Sequence, residues 1–82
     1  MKTKNLALEG EKIYEFKLKK KLEPQYKGQY VAIEIVSEDY YIGRDMLDAI
    51  EKAKKKYPKR KFYILRIGRM PSVKFYTPIN LL

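Results

Sequence analysis

EKIYEFKLKKKLEPQY, residues 11–26, admits two readings, and the choice between them governs the rest of the fold. Tyr14, Leu18 and Leu22 recur every four residues, with Ile13 and Phe16 beside them. That is the pattern of an amphipathic helix, ended near Pro24. Tyr14, Phe16 and Leu18 also alternate with Glu15, Lys17 and Lys19, as the residues of a half-buried strand do. The Lys run and Leu22 favour the helix by intrinsic propensity. A helix over residues 12–22 is therefore the expectation, with the strand left open. Residues 1–10 read as a frayed, flexible lead-in.

Outward from this stretch, YKGQYVAIEIV (26–36) turns at Lys27-Gly28 and enters the clearest strand in the chain. Val31, Ile33 and Ile35 share one face; Tyr30, Ala32, Glu34 and Val36 share the other. SED (37–39) reads as a hairpin loop, and YYIG (40–43) as a short second strand. RDMLDAIEKAKKKYP (44–58) predicts a helix. Asp45 is suited to the N-cap, with Asp48 three positions on as in a capping box. Met46, Ile50, Ala53 and Tyr57 form its apolar stripe, and Pro58 stops it. KFYILRIG (61–68) reads as a third strand, RMPS (69–72) as a turn, VKFY (73–76) as a fourth strand and TPINLL (77–82) as a flexible tail.

The order α-β-β-α-β-β predicts one α+β domain of two layers, its antiparallel sheet ordered 2-1-3-4. Val31, Ile33 and Ile35, with Tyr63, Leu65 and Ile67, are expected to face the helix at 45–57. The opposite face then carries Tyr30, Ala32, Glu34, Phe62, Ile64 and Arg66, with Glu34 and Arg66 paired across strands. That face is too apolar to stand in water. The N-terminal helix, a second copy of the protein or a ligand would have to cover it.

Composition narrows the function classes. At 82 residues there is room for one domain. No stretch is apolar enough to suggest a membrane span, and the first residues lack the features of a signal peptide. The chain reads as cytoplasmic, and its Lys, Tyr and Ile usage without Cys or His has a thermophilic cast. With no His and no Cys, the usual general base and the thiolate nucleophile are both missing. Ser37 and Ser72 have no imidazole to activate them. The pairs Glu38-Asp39 and Asp45-Asp48 read as loop polarity and a helix start, not as a glycosidase pair or a metal site. Isolated glycines form neither a phosphate loop nor a dinucleotide fingerprint. The expectation is a non-enzymatic protein without cofactor, metal or evident small-molecule substrate.

The net charge of +9 is unevenly spread: residues 1–28 carry +4, residues 29–51 carry −5 and residues 52–82 carry +10. Such asymmetry steers anionic partners, and it also suits an acidic centre onto which basic ends fold back. The segment KAKKKYPKRK (52–61) holds seven bases and no acid. Part of this is compensation of the helix dipole. Lys52, Lys55, Lys56, Lys59, Arg60 and Lys61 are the candidate nucleic-acid contacts, and Phe62 is the aromatic free to stack on an unpaired base.

YKGQYVAIEI, an acidic hairpin, YYIGRDMLDAIEKAKKKYP and KFYILRIG together resemble a small prokaryotic family of unknown function. Its pattern falls here on Tyr26, Lys27, Gly28, Val31, Ala32, Gly43, Ala49, Ala53, Pro58, Phe62, Arg66 and Gly68. The resemblance spans about residues 26–68 and implies no catalytic role. It implies a small stand-alone protein, in some cases acting with a partner as antitoxin-like or accessory proteins do. The leading expectation is accordingly a protein-protein interaction module, a homodimer or an accessory subunit. It would bind through Tyr30, Glu34, Phe62, Ile64 and Arg66 on the uncovered sheet face, or through the exposed edge of the second strand or of VKFY. Sequence-nonspecific nucleic-acid binding through residues 52–61 is the alternative.

Overall fold

The computed structural model describes residues 6–68 and 74–76. The expected turn at 69–72 and tail at 77–82 lie outside the described residues. The leading segment is helical: α1 (Leu6–Ile13), a π-helical turn (Tyr14–Leu18) and α2 (Lys19–Tyr26) follow one another without a break. Residues 6–10, expected to fray, are thus part of the helix, and Gly10 is buried. Pro24 lies inside α2 and does not end it.

The π turn has a physical origin in the spacing. Leu6, Gly10, Tyr14, Leu18, Leu22 and Tyr26 sit four apart, and all are buried or half-buried. Four residues of α-helix overshoot one turn by about 40°, so an unbroken α-helix would wind this stripe away from its support. A wider turn, closed by the Lys19 amide on the Tyr14 carbonyl, sets the stripe back. Gly10 belongs to the same row because a Cβ there would lie 2.1 Å from the Tyr63 ring.

The chain leaves α2 through a tight turn. Lys27 (φ −53°, ψ 130°) and Gly28 (φ 94°) occupy its centre, and the Gln29 amide donates to the Tyr26 carbonyl at 2.9 Å. This is a type II turn, which demands a positive φ at its third residue and so a glycine. Strands β1 (Tyr30–Glu34), β2 (Tyr40–Gly43) and β3 (Phe62–Arg66) form an antiparallel sheet in the order β2-β1-β3. A three-residue segment, β4 (Lys74–Tyr76), runs antiparallel beside β3. Helix α3 (Met46–Lys56) starts where the acids require it: the Asp45 carboxylate accepts from the Asp48 amide at 2.8 Å. Asp48 in turn accepts from the Arg44 amide at 3.0 Å.

The layers differ from the expectation. There are three, helix–sheet–helix, and the two sheet faces are exchanged. Val31, Ile33, Ile35, Tyr63, Leu65 and Ile67 pack against Ile13, Tyr14, Leu18 and Leu22 of the leading helix. Ala32, Phe62 and Ile64 pack against Ala49 and Ala53 of α3. Gly43 explains the exchange. It pairs with Tyr30 and so belongs to the Tyr30–Ala32 face. A Cβ on Gly43 would lie 2.2 Å from the Ala49 amide nitrogen, so α3 begins directly against that bare backbone. Small residues there, Ala32, Ala49 and Ala53, allow a close helix–sheet approach. The opposite face, rich in Val, Ile and Leu, is left for the bulkier side chains of the leading helix.

The cross-strand pair expected between Glu34 and Arg66 is also absent. Register sets Glu34 opposite Phe62 and Arg66 opposite Tyr30, at opposite ends of the ladder. Arg66 instead donates to the Gly28 carbonyl at 3.2 Å and lies 5.9 Å from the Tyr30 ring centroid.

If the leading helix is a full core layer, truncating its most buried side chain must be costly. Leu22→Ala is expected to lower unfolding free energy by about 2–5 kcal/mol in urea melts. Phe16→Ala, at a position 82% exposed, should change it by less than about 0.5 kcal/mol. Equal, small effects of both would mean that this layer does not support the sheet.

Candidate anion-binding surface

The acidic centre of the chain is concentrated at the turn between β1 and β2, and bases from both halves fold onto it. Glu38 adopts φ 67° at the apex. Its carboxylate pairs with Lys17 of the π turn. From the other side of the sheet, Lys56 reaches Asp39 at 3.8 Å, and the Tyr57 hydroxyl donates to the same carboxylate. Arg60 reaches Glu34 at 3.0 Å.

Glu34 is the anchor of this cluster. Its side chain is 1% exposed, yet every demand of a buried carboxylate is met. It accepts from the Val36 amide at 3.2 Å, the Ser37 amide at 2.9 Å and Arg60. Burial on its own pushes its pKa up. Hydrogen bonds from Ser37, Val36 and Arg60 outweigh that and hold it below the ordinary glutamate value. Arg60, held there, also stacks with its guanidinium carbon 5.4 Å from the Tyr57 ring centroid, and Lys56 lies 5.7 Å from the same ring. The loop after α3 is thereby fixed to the sheet with its remaining bases turned outward.

Within the basic segment, the six candidate nucleic-acid residues divide by partner. Lys52 caps the edge of the sheet: its ammonium donates to the Ile42 carbonyl at 2.9 Å and lies 3.6 Å from Asp48. Lys56 and Arg60 are engaged with Asp39 and Glu34. Lys55, Lys59 and Lys61 are exposed and have no acidic partner among the described residues. A shallow groove of about 210 Å³ is lined by Lys59 and Lys61 together with Glu34, Ile35, Val36 and Arg60. Val36, 62% exposed, is its apolar lip. The position of Val36 at the basic groove follows from the turn and is not visible from spacing.

The candidate protein-binding face requires correction. Phe62 is 0% and Ile64 1% exposed, both beneath α3, and Glu34 is equally buried. Tyr30 is half-buried and Arg66 exposed at the far end of the ladder. These five residues form no common surface, because α3 occupies the face they were expected to present. Phe62 is likewise unavailable for stacking on a base. Among the described residues no helix is long and apolar enough to cross a membrane. No family model matches the chain, and it matches neither a curated protein nor a solved structure.

The Glu34 cluster carries a pH signature. Its folded pKa is depressed, so the stability it contributes is present above the ordinary glutamate value, about 4.3. That stability is lost as pH falls through the lower folded value. Glu34→Gln should flatten this acid limb in melts followed between pH 6 and pH 2. At neutral pH it should cost about 1–3 kcal/mol through the weakened hydrogen bonds. An acid limb unchanged in the variant would show that other carboxylates set it.

Proposed function

We propose that this protein is a non-enzymatic binder of nucleic-acid phosphates that does not read base sequence. The observation that carries this reading is the set of three outward ammonium groups on Lys55, Lys59 and Lys61. They have no acidic partner among the described residues; Lys55 lies on the last turn of α3, and Lys59 and Lys61 on the loop that Arg60 and Tyr57 anchor. Lys ammonium groups act on phosphates as point charges, which suits backbone contact without base discrimination. Lys52, Lys56 and Arg60 add to the field while bonded within the protein. The ion pairs of Lys52 and Lys56 are exposed and weak and exchange readily with phosphate oxygens, while Arg60 stays on the buried Glu34. Phe62 is buried and so is no platform for stacking on a single-stranded base. The absence of His and Cys from the sequence supports the non-enzymatic part of the reading.

Fluorescence anisotropy with a labelled duplex across a salt series tests it. Affinity should fall steeply with salt. Replacing Lys55, Lys59 and Lys61 with Gln should make the log–log slope shallower by roughly 2.7, three contacts at about 0.9 each. The reading fails if the triple variant keeps the parent's affinity and slope.

A further inference from the structure

A second groove, of about 710 Å³, lies between the leading helix and the chain beyond β3, with Glu15, Lys19, Lys20, Glu23 and Pro24 on one wall and Lys27 and Gly68 on the other. It is at the opposite end of β3 from Lys59 and Lys61, since Phe62 begins that strand and Gly68 follows it. It is a wide groove, open to solvent over much of its extent.

Its charge is organised. Lys19 is occupied by Glu15 at 3.6 Å. Lys20 and Lys27 have no acidic partner among the described residues. Lys27 is positioned by Gly68, where φ is +80° and a Cβ would lie 2.6 Å from the Lys27 Cγ. The lysine stem thus crosses bare backbone. Glu23 is positioned as well: the buried Tyr14 hydroxyl donates to its Oε2 at 2.9 Å and lies 3.4 Å from the Gly68 amide nitrogen, which donates to it. Burial and the Glu23 hydrogen bond push the Tyr14 phenol up to about 12, so it stays protonated and keeps donating at neutral pH. The π turn supplies this arrangement by carrying Tyr14 and Glu23, nine positions apart, within reach of each other.

We propose that this groove binds a small phosphate ester that carries hydroxyl groups. Lys20 and Lys27 receive the phosphate, and Glu23 accepts a ligand hydroxyl through Oε1. Two lysines suit a tetrahedral dianion, and among the described residues the groove offers no guanidinium fork of the kind that best matches a planar carboxylate. An ionised carboxylate only accepts hydrogen bonds. Glu23 therefore repels a bare anion and favours one that brings a donor with it. Lys20 and Lys27 offset that repulsion at the phosphate end.

Amide chemical-shift titration with ribose 5-phosphate tests the proposal, with inorganic phosphate and ribose as comparison ligands. Ribose 5-phosphate should shift the amides of Gly68 and Glu23 and bind more tightly than either comparison ligand. Lys20→Met and Lys27→Met keep the aliphatic stems. Each should weaken ribose 5-phosphate about tenfold, the loss of one charge-assisted contact, with the melting temperature unchanged. Glu23→Gln should narrow the preference for the ester over inorganic phosphate. The proposal is overturned if no shifts occur, if they map to residues 55–61, or if inorganic phosphate binds as tightly as the ester. The Lys55, Lys59 and Lys61 triple Gln variant should retain ester binding, which separates this site from the nucleic-acid surface.

Discussion

The structure depends on a sheet that is apolar on both faces. An apolar run such as Val31-Ala32-Ile33 leaves neither side able to face water. In a chain of 82 residues each face can receive one helix, and the three-layer result follows. The two covers differ in kind. On one side Ala32, Ala49 and Ala53 bring α3 close to the backbone, and Gly43 removes the last obstacle. On the other, Val31, Ile33, Leu65 and Ile67 meet the larger Ile13, Tyr14, Leu18 and Leu22. Burial of such side chains contributes about 1.5–3 kcal/mol each. A domain this small, without disulfides, has few other sources of stability.

The four-residue spacing of the leading helix links packing to chemistry. Keeping the stripe on the sheet requires one wide turn, and that turn brings Tyr14 to Glu23. A packing requirement therefore creates the polar arrangement beside the second groove. On the opposite side, electrostatics has a similar double effect. The turn at Glu34–Asp39 is the acidic point of a chain with net charge +9, and it draws Lys17, Lys56 and Arg60 from both halves. The same ion pairs that close the molecule leave Lys55, Lys59 and Lys61 facing outward.

Legibility varied with the range of the interaction concerned. Helix α3 was legible because its cap, stripe and stop are local: Asp45, the stripe Met46, Ile50, Ala53 and Tyr57, and Pro58 act within a few residues, although its two fully buried positions are Ala49 and Ala53. The strands were legible from alternation, and the antiparallel order β2-β1-β3 from the sequence of elements, a hairpin followed by a helix that crosses back over the sheet. Which face each helix covers was not. Alternation shows that two faces exist but assigns neither, and the deciding contact, Gly43 against Ala49, depends on register. The six basic candidates were correctly placed on the exposed end of α3 and its loop. Their division into paired and unpaired was hidden, because Asp39 and Glu34 are distant in sequence from Lys56 and Arg60. The protein-binding set failed for the same reason: Phe62 and Ile64 share a face with Ala32, and that face belongs to α3.

By itself the sequence determined α3, the three main strands with their antiparallel order and the charge of the surface after α3, because each rests on local pattern or covalent composition. Tertiary structure alone decided which face each helix covers, where Glu34 finds its cation and how Tyr14 meets Glu23. Those outcomes come from side chains far apart in the chain competing for the same space and charge, and residue spacing carries no information about which of them wins.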